Sequence, residues 1–395
     1  MFDPYSREFV ENPFPMYARL RNEAPVYRNE EHGFWAISRY EDVYKAHRDA
    51  KIFCSSGGVT IEGVEKGRPL LILKDQPEHG VAKGFVTKLF SRARMEALDI
   101  FIQNRVTELL DGLYEEYGPD REFDMVSQFS VLLPLDVISE LLGIPEKDRQ
   151  KVHHLANTVL ARGSAEALEQ SAQASIEVTT YFIGLSGERR ANPKDDVISM
   201  LIAETQEDAD GNVIQMSDME IGIRFMELAL AGHETVAKAI PNGAMAFHNF
   251  PDEWQKLLDD PTLVERAIHE ILRYDPPSHL QGRTATQDVE LHGVTIPAGD
   301  RVMLLTGAAV RDPRQFDEPD VFDISRDTDP RSVYFGFGVH KCLGIHLAQR
   351  ELTIVFEELS RRFPNMSVDP SRAKRAALTN VRGVKNLPMK LGQPT

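Results

Sequence analysis

The chain has 395 residues, with 45 basic and 61 acidic side chains, a formal net charge of −16 and 42% hydrophobic residues. This length and apolar content suffice for a large hydrophobic core and exclude a disordered chain. The acidic balance argues against nucleic-acid binding, which requires a basic surface. Two cysteines, Cys54 and Cys342, cannot form a disulfide scaffold and indicate a reducing cytoplasm.

The chain reads as one continuous globular domain over residues 1–395. Residues 1–8 lack the apolar segment of a secretory signal, and no apolar run approaches the roughly 18 residues of a membrane-spanning helix. No repeat or Gly/Ser-rich linker divides the sequence. We therefore expect a cytoplasmic protein with no membrane anchor and no nucleic-acid partner.

Helical patterns dominate the first half of the chain. After a predicted strand at 34–37 and a short helix at 41–47, the Gly-rich residues 55–70 are typical of a loop or pocket wall. Apolar side chains then recur every three or four positions within 98–113 and 135–142. These two periodic segments predict amphipathic helices.

The second half adds the longest helix and most of the strands. An Ala-rich helix is expected over 163–185, and the capping box at 217–220 precedes a central apolar helix over 221–247. Pro241 lies inside that helix and should kink or end it. Further helices are expected at 263–274 and 343–361, with strands at 289–294 and 301–305. The fold class is therefore mainly α with small β-sheets, whose strands come mainly from 20–60, 280–310 and 375–395.

The most informative segment is the Gly-rich loop at 335–344, which contains Cys342 and precedes a helix. A cysteine at a helix N-terminus is stabilised as a thiolate, which is a metal ligand, and the glycines allow a bulky group to approach the backbone. Three other interpretations exist: a buried inert cysteine, a zinc site with His340 and His346, or a catalytic thiol with His340 as base. A structural zinc site usually needs a fourth ligand, which the segment lacks.

This segment resembles the haem-binding loop of the cytochrome P-450 monooxygenases, Phe-Gly-x-Gly-x-His-x-Cys-Leu-Gly, at every fixed position. The resemblance implies that Cys342 is the thiolate ligand of the iron of haem b. It also implies that Phe335 shields the sulfur and that His340 reaches a haem propionate, with Gly336 and Gly344 shaping the loop. The family's fold would place the haem between the long central helix and the helix after the cysteine loop.

Two further segments resemble motifs of the same family. Glu270 and Arg273 match its Glu-x-x-Arg pair, and Arg326 fits the third member of that cluster, for which the resemblance implies a structural role. Without the resemblance, a surface ion pair would be the simpler interpretation. The family's oxygen-binding motif, Ala-Gly-x-Glu-Thr, matches residues 231–235 and implies catalytic roles for Glu234, which supplies protons, and for the Thr235 hydroxyl.

The remaining basic residues of the motif set would bind the haem propionates. The resemblance assigns His79, Lys83 and Arg283 to this role, although each alone would be interpreted as a solvated charge. Lys83 stands where the family usually has an arginine, and a lysine cannot make the bidentate contact of a guanidinium.

The resemblance implies hydroxylation of a hydrophobic molecule by O₂, with electrons from a ferredoxin or flavodoxin and its NAD(P)H reductase. No bound flavin is expected. The basic run of Lys83, Lys88, Arg92 and Arg94 is interpreted as the docking surface for the electron donor, or alternatively as a solvated helix face.

Substrate selection is expected to depend on apolar side chains around the oxygen-binding motif. The candidates are Leu228, Ala231, His279 and Leu280, with the segments 55–73, 155–185 and 378–381. Arg162 is a further candidate for a polar contact. A terpenoid, steroid, fatty acid or polyketide would suit such a pocket. The alternatives are a peroxide-dependent or non-hydroxylating enzyme with the same haem, or, in a different class, a haem-based sensor.

Overall fold

The computed structural model describes residues 2–61, 69–159, 165–376 and 380–395. Helices account for most of these residues. They are α1 (Arg7–Glu11), α2 (Phe14–Glu23), α3 (Tyr40–Arg48), α4 (Glu78–Thr87), α5 (Arg92–Tyr117), α6 (Leu132–Leu141), α7 (Glu146–Val159), α8 (Ala165–Ala191), α9 (Val197–Ala203), α10 (Asp218–Asn249), α11 (Pro251–Asp259), α12 (Val264–Tyr274), α13 (Thr306–Ala309) and α14 (Ile345–Arg362).

The strands are short and lie mainly near the two ends of the chain and between α12 and α13. They are β1 (Val26–Asn29), β2 (Phe34–Ile37), β3 (Phe53–Cys54), β4 (Phe123–Asp124), β5 (Gln206–Glu207), β6 (Val213–Ile214), β7 (Gln281–Ala285), β8 (Val289–Leu291), β9 (Val294–Ile296), β10 (Arg301–Leu304), β11 (Ser367–Val368), β12 (Lys374–Arg375), β13 (Val384–Asn386) and β14 (Pro388–Lys390). Strands β4, β5, β6 and β11 lie outside the three strand-rich ranges expected from the sequence.

The core is organised around α10, which packs against α6, α8, α12 and α14. Its sequence explains this position, because apolar residues surround the second half of the helix and are buried there, from Val236 to Phe247. The N-terminus of α10 carries the predicted capping box, in which Ser217 and Glu220 satisfy each other's backbone N–H groups. The long buried helix thus begins at a well-defined point and runs through the whole core.

Pro241 does not end this helix, which was one of the two outcomes expected from the sequence, the other being a kink. The helix continues to Asn249 with Pro241 buried inside it. A proline removes the hydrogen bond to the carbonyl of Ala237 and costs about 3 kcal/mol in a helix interior. Burial of the neighbouring apolar side chains against α12 and α14 outweighs this local cost.

The largest sheet has the strand order β1-β2-β10-β7-β3. Strand β2 pairs with β1 in antiparallel register and with β10 in parallel register, Phe34 lying opposite Arg301. Strand β7 pairs with β10 and β3 in antiparallel register, which places Arg283 opposite Val302. The sheet therefore fixes the position of Arg283, one of the basic residues singled out above.

Candidate functional site

The cysteine loop is held in a tight conformation by its glycines and by one backbone hydrogen bond. Gly336 and Gly338 have φ values of 68° and 71°, in the left-handed region that favours glycine. A Cβ atom on Gly338 would lie 2.6 Å from the carbonyl oxygen of His47 on α3, so no larger residue fits there. The N–H of Cys342 donates to the carbonyl of Phe335 at 2.9 Å, and α14 begins three residues after the cysteine.

The Cys342 side chain is solvent-accessible, but the surrounding protein restricts the hydration of its thiolate. Burial by this protein raises the pKa of the thiol. Two groups act in the opposite direction: the backbone N–H of Gly344, which donates to the sulfur, and the ammonium of Lys83. Both stabilise the thiolate, the form in which cysteine binds a metal.

Basic side chains converge beside this loop. The imidazole rings of His79 and His340 lie 4.2 Å apart between centroids, and His340 Nε2 makes a 3.0 Å hydrogen bond with the Ser55 hydroxyl. The buried Nδ1 of His79 has no hydrogen-bond partner among the described residues. Two imidazoles and the guanidinium of Arg283 therefore lie at one side of the cysteine loop.

Arg283 is the most unusual of these groups because it is buried without an acidic partner. Its side chain is 4% exposed, and it forms no ion pair within the described part of the chain. Its one recorded hydrogen bond is to the carbonyl of Gly282, at 2.7 Å. Burial lowers the pKa of Arg283 to about 10, with Asp75 and Cys54 opposing that shift. A buried cation of this kind favours an anionic ligand.

The histidines are held in their neutral form. Burial is the main cause that lowers the pKa of His79 to about 4 and that of His340 to about 3. The nearby charges of Lys83, for both rings, and of Arg283, for His340, lower these pKa values further. Neutral imidazoles can donate hydrogen bonds to an anion without adding positive charge of their own.

Lys83, which the sequence analysis assigns to the same anionic group, instead contacts the cysteine loop itself. Its Nζ donates to the carbonyl oxygens of Val339 at 2.8 Å and Lys341 at 3.1 Å. The structure therefore brings Lys83 to the site but gives it a different partner from the one expected.

The oxygen-binding motif lies in the middle of α10. Ala231 is exposed there although Ala229 and His233, on either side of it, are buried. The hydroxyl of Thr235 donates to the Ala231 carbonyl at 3.2 Å, one helical turn earlier. Glu234 lies near Lys238, whose pKa is lowered mainly by burial and raised in part by this carboxylate.

Glu270, Arg273 and Arg326 form a buried cluster. Arg273 donates to both carboxylate oxygens of Glu270, at 2.7 and 2.8 Å, and both side chains are at most 3% exposed. Arg326 lies 3.4 Å from the same carboxylate. Arg273 also donates to the carbonyls of Val310 and Pro319. The cluster ties α12 to the long segment that leads to the cysteine loop, so the surface-pair interpretation does not apply.

Two of the pocket candidates are buried among partners from the N-terminal part of the chain and from Asp275. His279 is buried in a hydrogen-bonded series, with Tyr17 at 3.1 Å on one ring nitrogen and Asp275 at 3.3 Å on the other. Leu280 is 1% exposed and packs in the N-terminal cluster with Phe2. Their role in lining a substrate pocket stays a prediction.

Leu228 and Ala231 are better placed. They lie three residues apart on α10, and Thr235 follows four residues later, so all three share one helix face. Among the other pocket candidates, residues 62–68, Arg162, Leu378 and Thr379 lie outside the described residues.

The sequence analysis missed a buried ion pair that joins α10 to the loop before α4. Arg224 and Glu227 contact each other, and Arg224 also donates to the carbonyl of Pro69. Glu227 accepts the N–H of Leu71 at 2.6 Å. Burial raises the pKa of Glu227 to about 7, although Arg224 opposes the shift. The available signal was the pair of opposite charges at i and i+3 among the mainly apolar residues of this helix.

The residues at this site fit a haem group. One side chain that can form a thiolate, Cys342, lies on a loop whose close backbone contacts require glycine. Beside it, His79 has a buried ring nitrogen without a hydrogen-bond partner among the described residues. Arg283 carries a buried positive charge without an acidic partner among the same residues. This donor set matches an iron ligand and two anionic carboxylates. The described residues contain no group of three His, Cys, Asp or Glu side chains placed to hold a metal ion, which disfavours the zinc interpretation. None of the helices in the described residues combines the length and apolar character needed to cross a membrane.

Comparison with known proteins gives consistent results. A family model described as Cytochrome P450 matches residues 245–389. Cytochrome P450 123 of Mycobacterium bovis is 36% identical over 98% of this chain and 96% of its own length. The Vitamin D(3) 25-hydroxylase of Pseudonocardia autotrophica is 34% identical over 99% of this chain and 96% of its own length. The methyl-branched lipid omega-hydroxylase of the same M. bovis strain is 33% identical over 94% of this chain and 90% of its own length.

Solved structures also resemble this chain along its whole length. The crystal structure of CYP109E1 from Bacillus megaterium in complex with corticosterone has a TM-score of 0.86 and 32% sequence identity. The match covers 97% of this chain and 99% of that one.

Proposed function

This chain belongs to the cytochrome P450 family and is a haem-dependent monooxygenase, and we propose that it hydroxylates a sterol-like or methyl-branched lipid. The reaction consumes R–H, O₂, two electrons and two protons and yields R–OH and water. The observation that carries the proposal is the accessible thiol of Cys342 on its Gly-rich loop. Beside it lies the buried guanidinium of Arg283, which forms no ion pair with an acidic side chain among the described residues.

We assign the haem-holding residues from these contacts. Cys342 would ligate the iron, and Arg283, His79 and His340 would bind the propionates through the donors that the protein leaves available. The haem, when bound, supplies the activation of O₂ by an electron-rich thiolate ligand. Burial raises the pKa of this thiol, and the N–H of Gly344 and the charge of Lys83 oppose that shift in favour of the thiolate.

Proton supply is assigned to Glu234 and Thr235. The Thr235 hydroxyl lies on the same face of α10 as Ala231 and can exchange its bond to the Ala231 carbonyl for one to a water or substrate oxygen. Glu234 is only partly buried, so its carboxylate can take protons from solvent. The two residues are consecutive on α10, and we assign general acid catalysis to them together.

The substrate class rests on the apolar face of α10 and on what the relatives act on. Leu228 and Ala231 offer no charge to a ligand, which favours a hydrophobic molecule. The names of two relatives specify vitamin D(3) and methyl-branched lipids, and a structural neighbour holds corticosterone. A sterol-like or methyl-branched substrate is compatible with all three.

The electrons are assigned to a ferredoxin or flavodoxin served by an NAD(P)H reductase. The basic residues near the cysteine loop support an acidic donor protein, although Lys88 is paired with Glu204 at 2.7 Å and Arg94 donates to the sulfur of Met200. The side chain of Arg92 lies outside the described part. The exposed Lys341 adds positive charge in the cysteine loop itself.

The primary test is the difference spectrum of the reduced protein with carbon monoxide. We expect the red-shifted band of thiolate-ligated haem in the wild type and its loss in Cys342→Ser. A band typical of imidazole-ligated haem in the wild type would contradict the assignment of Cys342 and would favour a sensor.

Substrate class is tested next by spin-state titration of the ferric protein with sterols, branched lipids and linear fatty acids. Products of turnover under ¹⁸O₂ should carry one labelled oxygen atom. Turnover that needs peroxide and proceeds without O₂ would support the alternative, peroxide-dependent enzyme.

A further inference from the structure

Lys83 lies on α4 and reaches across to the cysteine loop. Its Nζ donates to the carbonyls of Val339 and Lys341, at 2.8 and 3.1 Å, from the two sides of His340. These carbonyls belong to the three residues that directly precede Cys342. A single ammonium group therefore holds the backbone next to the thiol from a different helix.

The chemistry of this contact suits lysine better than arginine. An ammonium presents three donors from one point and can bind two carbonyls that converge on it, whereas the flat fork of a guanidinium matches a carboxylate. Lys83 forms no ion pair with an acidic side chain in the described part of the chain.

The position of Lys83 also places a positive charge near the sulfur. The interaction of the Lys83 ammonium with the Cys342 sulfur is attractive when the sulfur carries a negative charge. Lys83 thus acts on Cys342 in two ways: its hydrogen bonds hold the neighbouring backbone, and its charge acts on the sulfur through the electrostatic field.

We propose that Lys83 is a positioning residue for Cys342, which fixes the backbone at 339–341, and that it is not a propionate ligand. This inference rests on the proposed role of Cys342 as haem ligand. It leaves the propionates to Arg283, His79 and His340. The lysine at this position then holds the backbone before Cys342, and it does not replace an arginine in binding a propionate.

The test compares Lys83→Met with His79→Gln in the holoenzyme, using two independent readouts. The first is the rate at which the thiolate-ligated carbon monoxide band converts to the thiol-ligated band in mild urea. The second is the rate of haem transfer to apomyoglobin. A residue that positions the thiolate affects mainly the first rate, whereas a propionate ligand affects mainly the second.

We expect Lys83→Met to accelerate band conversion about tenfold, since two charge-assisted hydrogen bonds are lost, and to leave haem transfer within about twofold of wild type. His79→Gln should show the reverse pattern. We also expect Lys83→Met to make the haem reduction potential more negative, because a positive charge next to the thiolate has been removed.

Lys83→Gln serves as the second variant if the methionine variant does not fold. It removes the charge and keeps an amide donor, so it should shift the potential as Met does and accelerate band conversion less. Haem transfer accelerated as much as in His79→Gln, with unchanged band conversion, would overturn the proposal in favour of a propionate contact. Unchanged values of both rates would also overturn it. Absence of the thiolate-ligated band in the wild type would instead refute the proposed function itself.

Discussion

The Thr235 hydroxyl has a proposed catalytic role and makes one hydrogen bond within its own helix. It is partly buried in the middle of α10 and donates to the carbonyl one turn earlier, so its loss removes one exchangeable hydrogen bond without opening a cavity in the core. This makes the residue suitable for substitution.

We predict that Thr235→Ala retains substrate binding but diverts electrons to hydrogen peroxide, because the ordered proton donor is missing. The share of NAD(P)H electrons recovered as peroxide should rise several-fold, while the amplitude of the substrate-induced spin shift stays the same. Thr235→Ser keeps the hydroxyl and should remain close to wild type. Full coupling in the alanine variant would refute the role of Thr235.

Single residues also show where sequence reasoning was insufficient. Cys342 was identified from its motif because all the relevant positions are contiguous in the chain. The partners of Lys83 and Glu227 were not, since they lie 256 and 156 positions away from them, respectively. The partners of His279 and Leu280 were missed for the same reason, because these N-terminal residues are distant in sequence.

At the level of elements, α12 depends on its buried ion pair. The carboxylate of Glu270 accepts hydrogen bonds from Arg273 and, at 3.0 Å, from the backbone N–H of Asp323. Its negative charge is therefore compensated inside the protein. Removing one member of such a pair leaves the other charge buried and uncompensated, which costs more than the pair itself contributes.

We predict that Glu270→Gln lowers the free energy of unfolding by about 3–5 kcal/mol. The matched control is Glu265→Gln, an exposed position on the same helix, where we expect a change below about 0.5 kcal/mol. Urea unfolding followed by circular dichroism measures both. Equal stabilities of the two variants would contradict a structural role of the cluster.

Helix α14 contains a second buried carboxylate, Glu351, with a different property. It is 1% exposed, and its Oε2 has no hydrogen-bond partner among the described residues. Burial raises the pKa of Glu351 well above its ordinary value of 4.5. The folded protein therefore binds this proton more tightly than the unfolded chain, and the contribution to stability is present below pH 4.5 and is lost as pH rises towards the folded pKa.

Glu351→Gln should remove this pH dependence. We predict that the variant is more stable than wild type at pH 8 and that the advantage shrinks towards pH 5. The control Glu115→Gln, exposed on α5, should change stability equally little at both pH values. Unfolding titrations at the two pH values measure this, and a constant difference between Glu351→Gln and wild type would disprove the assignment.

The element boundaries show how far local pattern alone is informative. The capping box of α10 was predicted correctly because its two partners are three residues apart. The apolar pattern placed the end of the same helix at 247, two residues before Asn249, although Pro241 was expected to kink or end it. Local pattern therefore located both ends of the helix, whereas its continuation through Pro241 depends on packing against α12 and α14.

For the whole molecule, the distribution of charge determines how an electron donor approaches. The net charge of −16 would repel an acidic ferredoxin from most of the surface. A local basic region around Lys88 and Lys341, near the cysteine loop, is therefore the expected point of contact.

We predict that the double variant Lys88→Glu/Arg92→Glu raises the KM for ferredoxin about tenfold at low salt, with a smaller effect at high ionic strength because salt screens surface charges. Lys194→Glu changes the charge in the same direction at an exposed position between α8 and α9 and serves as control. Steady-state kinetics at two salt concentrations measure both. An equal KM in the double variant and wild type would place docking elsewhere.

The fold of the whole molecule was predictable mainly because four motifs occur in the order of one family. Local sequence patterns predicted seven of the fourteen α-helices of the described residues but could not specify the neighbours of a strand. Nothing in residues 34–37 indicates that they pair in parallel with residues 301–304, since that register depends on packing across the entire chain.

This parallel pairing has a consequence for the biosynthesis of the protein. During translation, strand β2 has only β1 as a partner until β10 has left the ribosome, when most of the chain is complete. Arg283 lies on β7, whose position depends on β10, and Cys342 is synthesised later still. The two sides of the cofactor site are therefore assembled only near the end of synthesis. Haem is then captured by a nearly complete polypeptide, and its supply acts on the last steps of folding.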